Sequence, residues 1–174
     1  IELTNKNNTG ATQVSASDFM RITYPSHDLL KAIEAVGPNQ GRPITLKGER
    51  GLGKSHLMGV LYHALTDHSA TEGWLSNWSH TLGETKIGEI PLRGGMHVIS
   101  ESLHRQRYKF LWDLVFDNHP NGNYCRGKWE ALGDKKPDVP SDEILLELFK
   151  HTPTALILDE FQTWDDGLSN TKQY

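Results

Sequence analysis

Residues 46–65, LKGERGLGKSHLMGVLYHAL, constrain the fold more than any other stretch, because three of their four glycines, a lysine and a serine separate a brief apolar run from a helix-like stripe. Gly48, Glu49, Arg50, Gly51, Leu52, Gly53, Lys54 and Ser55 satisfy G-x-x-x-x-G-K-[ST] without a gap. Glycines let the backbone curl around an anion with successive N–H groups pointing inward. A helix beginning at the same place adds its positive end. Lys54 supplies a compact, mobile charge for phosphate oxygens, and the Ser55 hydroxyl is a ligand for Mg²⁺. The segment Gly48 to His56 is therefore the predicted cofactor-binding stretch, with the side chains of Glu49 and Arg50 turned away from the anion. The competing account is a glycine-rich turn that only caps a helix. Strand before and helix after is the context that favours the phosphate loop.

Such a loop needs a carboxylate from another strand to complete the cation shell. TALILDE offers Asp159 at the carboxyl end of an apolar run, where open α/β sheets bind their ligands. Glu160 follows directly and is suited to orient and deprotonate an attacking water. Ser55 and Asp159 are thus the expected metal ligands, and Lys54 and Glu160 the catalytic pair. Adenine is favoured over guanine. The Asn-Lys pair at Asn5-Lys6 is followed by Asn7-Asn8 rather than by an N-K-x-D pattern, and the metal strand reads DEFQ rather than D-x-x-G. The expected cofactors are ATP and Mg²⁺.

Around this pair, strands and helices alternate. Residues 2–17 are polar and aperiodic, a linker or arm. Ser26 caps a predicted helix with a stripe of Leu29, Leu30, Ile33 and Val36, stopped at Gly37-Pro38. Residues 42–48 form a short strand, and Leu57, Met58, Val60, Leu61, Ala64 and Leu65 recur at helical spacing after the glycines. Residues 67–95 give no clear assignment. MHVIS (96–100) is a buried strand, 101–119 a helix, 120–140 a loop, 141–151 a helix capped by Ser141, and 154–160 a strand. This order argues for an α/β three-layer sandwich with a mainly parallel sheet.

Composition narrows the partners. The 174 residues carry a formal net charge of −4, which gives no global attraction to nucleic acid or acidic membrane. No apolar run is long enough to cross a bilayer, and no secretion leader opens the chain. One cysteine, Cys125, excludes an internal disulfide and points to a reducing, cytoplasmic setting. Nine histidines are scattered without a zinc spacing. Ile1 rather than Met opens the chain, which suggests a piece of something longer.

The loop and ALILDE together resemble the additional-strand P-loop ATPases, and most closely the AAA+ group. DFMRITYPSHDLLKAIEAV, LKGERGLGKSHLMGVLYHAL, MHVISESLHRQRYKFLWDLVFDNHP and HTPTALILDEFQTWDDGLSNTKQY are similar to the large ATPases of bacterial defence islands, relatives of the BREX-system ATPases. The likeness covers most of 18–174. It implies an ATPase that powers or gates remodelling of a partner, with DNA or defence-system proteins as the expected partners, Mg-ATP held by the loop, Lys54, Ser55 and Asp159, and water activated by Glu160. It also implies a sensor strand, a helical lid and an arginine finger, none of which follows residue 160 here. Residues 18–174 then correspond to the N-terminal portion of such a core, with the rest supplied by further sequence of the same polypeptide or by neighbouring subunits. Three other classes stay open: a nucleotide-gated binding module, a superfamily 1 helicase-like motor suggested by Gln162 in DEFQ, and a small-molecule kinase. Arg105, Arg107 and Lys109, interleaved with Tyr108 and Phe110, form either a nucleic-acid-binding face or the two sides of an ordinary amphipathic helix.

Overall fold

The computed structural model describes residues 2–4, 8–38, 40, 43–49, 51–104, 108–150 and 152–171, with side chains to residue 167. Arg50, Arg105 and Arg107, together with Asn5, Lys6 and Asn7, lie outside the described residues. In chain order the elements are α1 (Ala16–Arg21), α2 (His27–Ala35), α3 (Lys54–Thr66), α4 (His68–Leu82), α5 (Thr85–Gly88), β1 (His97–Ser102), α6 (Leu111–Asn118), α7 (Gly122–Glu130), α8 (Asp142–Lys150), β2 (Thr154–Asp159) and α9 (Phe161–Thr171). A single 3-10 turn, Gly133–Lys135, follows α7. No helix among the described residues is long and apolar enough to cross a membrane.

The chain is rich in helix around a two-stranded parallel sheet, β1 against β2. The register runs from His97↔Thr154 to Ser102↔Asp159, so both carboxyl ends finish side by side. A parallel pair needs a crossover, and α6 to α8 supply it. Alternation along the strands sends successive side chains to opposite faces. Ile157, with Val98 beside it, joins a core built with Phe19, Met20, Ile33, Met58, Val60 and Leu75 from α1 to α4. Ile99, with Leu158 beside it, joins a second core of Leu114, Phe116, Cys125, Trp129 and Leu148 from α6 to α8. Burying each large apolar side chain contributes about 1.5–3 kcal/mol, so the two clusters fix the helices to either side of the sheet.

The caps explain where several helices begin. Ser15 Oγ accepts from Asp18 N–H at 3.2 Å and Ser26 Oγ from Leu29 N–H at 3.4 Å. Asp67 accepts from Ala70 N–H at 3.0 Å to open α4, which ends at left-handed Gly83.

Four expectations need revision, and one unassigned stretch gains its elements. Of the linker or arm expected over 2–17, the described residues Leu3 and Ala11 are buried and α1 starts at Ala16. The strand expected over 42–48 does not form among the described residues: 43–49 carry no strand hydrogen bonds and Ile44 is exposed. A strand is stable only when a neighbour takes its N–H and C=O groups. Of the helix expected over 101–119, the described residues form helix only at Leu111–Asn118, and Glu101 and Ser102 belong instead to β1, paired with β2. The loop expected over 120–140 contains α7, with Cys125 and Trp129 buried on one face. Finally, 67–95 holds α4 and α5; Thr71, Trp74, Leu75 and Trp78 fall at i, i+3, i+4 and i+7, and the first three are buried.

Candidate phosphate and cation site

The loop stands at the carboxyl end of the sheet. Gly51 and Gly53 have φ of 86° and 79°, left-handed values that glycine adopts at little steric cost. Gly53 is also the N-cap of α3, and no side chain hydrogen-bonds into that cap. The first N–H groups of a helix lack partners within it, so α3 opens with donors and a positive dipole end facing outward from Gly53. Glu49, Gly51, Leu52 and Gly53 are exposed.

Lys54 folds back over the loop. Its Nζ donates to the carbonyls of Gly48 at 2.8 Å and Glu49 at 2.7 Å. The ammonium is thereby held above the turn rather than extended into solvent. A phosphate oxygen there would add a second charge to the bond, ammonium to anion, where the carbonyls offer only a dipole.

Ser55 and Asp159 meet across 104 residues of sequence: Ser55 Oγ donates to Asp159 Oδ2 at 3.2 Å. The second oxygen, Oδ1, accepts from Glu160 N–H at 3.0 Å, which orients the carboxylate. Among the described residues no group of three or more His, Cys, Asp or Glu could hold a metal. Mg²⁺ does not need one, since it commonly takes one or two protein oxygens and fills its octahedron with water and phosphate. A hydroxyl and a carboxylate already in contact fit that requirement, and they would hold Mg²⁺ beside the loop, where it supplies positive charge against phosphate oxygens.

Glu160 is exposed and has φ of 56°, a left-handed value unusual for a residue with a Cβ. Such a conformation costs about 1–2 kcal/mol. Its carboxylate accepts from Thr163 Oγ1 at 3.2 Å, and its carbonyl accepts from Trp164 N–H at 3.3 Å as α9 begins. The strained turn projects Glu160 from the end of β2, directly after Asp159.

His56, the last residue of the predicted cofactor-binding stretch, has its side chain packed behind α3. Its ring stacks on Phe19 at 4.8 Å and its Nε2 lies 3.1 Å from Thr23 Oγ1, so the side chain faces the segment before α2. Burial holds its pKa below the ordinary histidine value. Reading the residues alone missed Phe19 and Thr23, which contact His56 from the segment before α2. No local pattern links them to the loop, because the contacts span tens of residues. Ser102 was missed too: it is the register partner of Asp159, and its hydroxyl lies 3.1 Å from His104 Nδ1.

Two open hollows of about 300 and 290 Å³ lie along α8 and beside α2 rather than at the loop. A phosphate cradle is lined by backbone at an exposed turn and needs no deep cavity. No family model, curated protein or solved structure matches the chain.

Proposed function

We propose that the protein is an AAA+-like P-loop ATPase that binds Mg-ATP through residues 48–55 and hydrolyses it with Glu160 as the base. The observation supporting this most directly is the Ser55–Asp159 contact, which sets a hydroxyl at the start of α3 against a carboxylate at the end of β2. A helix-capping turn has no need of a distant carboxylate, whereas Ser55 and Asp159 together would hold a Mg²⁺ that accompanies bound phosphate. Backbone N–H groups of the loop and the α3 terminus take the phosphates, and Lys54 leaves the carbonyls of Gly48 and Glu49 for the β- and γ-oxygens. Glu160 takes the proton of a water aligned with the terminal phosphate. The finer reading, a motor that remodels DNA or proteins in anti-phage defence inside the cytoplasm, is supported by the sequence resemblance alone.

The test is Lys54→Ala in the full-length protein. Loss of a charge-assisted hydrogen bond of roughly 1.5–3 kcal/mol should weaken Mg-ATP binding about ten- to a hundredfold by calorimetry. Equal affinity in mutant and wild type would remove the assignment.

A further inference from the structure

The first turn of α3 carries both Lys54 and Ser55, yet no side chain caps it. Its register must therefore be set from elsewhere. Successive helix residues project about 100° apart, so Ser55 can face Asp159 while His56 faces the opposite neighbour. That neighbour is Thr23, which is 2% exposed. Thr23 Oγ1 donates its one proton to Phe19 O at 2.9 Å, so the 3.1 Å contact with His56 must be donated by the imidazole Nε2–H. The Thr23 carbonyl in turn accepts from Trp74 Nε1 at 3.1 Å. One turn further along α3, a Cβ on Gly59 would meet Phe19 Cζ at 2.8 Å and Ala11 Cβ at 2.7 Å, so helix and segment lie in close contact. Trp74, Thr23 and His56 thus form a hydrogen-bonded chain from α4 to the residue after the predicted cation ligand.

We propose that His56 is a positioning residue: through its bond to Thr23 it holds the first turn of α3 at the rotation that points Ser55 toward Asp159. The bond spans 33 residues and joins the site to the segment just before α2. Any shift of that segment would turn Ser55 relative to the carboxylate, and Mg²⁺ would be the first ligand to register it. This inference rests on the proposed Mg-ATP site.

The experiment measures ATP affinity of the full-length protein with excess Mg²⁺ and with EDTA, for wild type, His56→Ala, His56→Gln, Thr23→Val and the double variant His56→Ala/Thr23→Val. The ratio of the two affinities reports the Mg²⁺-dependent gain. It should fall about three- to tenfold in His56→Ala and in Thr23→Val, the expected effect of one neutral hydrogen bond. The double variant should fall no further in this ratio, since the His56–Thr23 bond is the interaction common to both changes. His56→Gln, which keeps a donor, should recover most of the loss. Thr23→Val is close to isosteric and carries the test if His56→Ala does not fold. An unchanged ratio, equal losses with and without Mg²⁺, or multiplicative effects in the double variant would overturn the positioning role while leaving the ATP site intact. A wild-type protein that binds no ATP would overturn both.

Discussion

Two kinds of glycine lie within one 20-residue stretch, and they separate the loop from the helix behind it. A Cβ on Gly51 or Gly53 would meet nothing within 4 Å, yet both have left-handed φ. Gly59 has ordinary helical geometry, and there a Cβ would collide with Ala11 and Phe19. The first pair is required by conformation and the third by packing. The loop is exposed and bonded chiefly to itself through Lys54, whereas the body of α3 buries Met58, Val60, Leu61, Ala64 and Leu65. The proposed chemistry falls where the backbone is unusual, and placement comes from where it is regular and enclosed.

If that division holds, changes at the rim should alter turnover or affinity and spare stability, and changes behind it should do the reverse. The largest effect is expected at the rim. Glu160→Gln keeps size and polarity but removes the base, so turnover of the full-length protein should drop ~10²–10⁴-fold while ATP still binds. Wild-type turnover in that variant would leave Glu160 as a turn residue only. Glu160→Gly sharpens the point: it should abolish turnover equally, yet relieve strain and raise stability by about 1 kcal/mol or less.

Behind the rim, Gly59→Ala should cost about 1–3 kcal/mol through overpacking, read as a lower urea midpoint with nucleotide absent. Gly53→Ala should behave in the opposite way. The new side chain carries left-handed strain of about 1–2 kcal/mol, but nothing encloses the loop, so the turn relaxes. The loss then appears in ATP affinity, about tenfold, rather than in the unfolding midpoint. Equal midpoint shifts in the two alanine variants would erase the contrast between loop and helix.

The smallest effect concerns pH. His63, behind the loop, is 3% exposed, and its Nε2 lies 2.8 Å from Ala11 O. Burial pushes its pKa below the ordinary 6.5, outweighing the Ala11 bond and the Asp67 charge, which act the other way. The unfolded chain therefore binds more protons below about pH 6.5. The stability contributed by a neutral His63 is present above that value and is lost as pH falls toward the depressed native pKa. His119, in the second core region, is shifted down by burial in the same sense. His63→Gln should flatten part of the acid-side decline in a series of urea midpoints taken from pH 7 to 5. An unchanged slope would assign that decline to His119 and other groups.

Local signals were sufficient where one element carries its own pattern. Ser26 and the stripe through Leu29 and Ile33 marked α2, the spacing from Met58 to Leu65 marked α3, and the apolar run before Asp159 marked β2. They also singled out Lys54, Ser55, Asp159 and Glu160, because phosphate and cation chemistry restricts residue types tightly. Helix α4 was legible in principle from Thr71, Trp74, Leu75 and Trp78, but its serines, threonines and glycine obscured the period. Helix α7 was harder, since Gly122, Asn123 and Gly127 read as turn residues until Cys125 and Trp129 find a core to enter.

By itself, the sequence determined which residues make up the candidate site: those proposed to grip phosphate, to hold Mg²⁺ and to take a proton. Those properties reside in side-chain chemistry and in glycine's conformational range, and they are local. Tertiary structure decided what touches what. It drew β1 out to Ser102 because β2 offered hydrogen-bond partners there, and it left 43–49 without strand pairing where no described neighbour did. It brought Ser55 to Asp159, and it turned His56 away from the loop toward Thr23. Each of these outcomes depends on burial and on backbone hydrogen bonds between segments far apart in the chain, and no window of neighbouring residues contains that information.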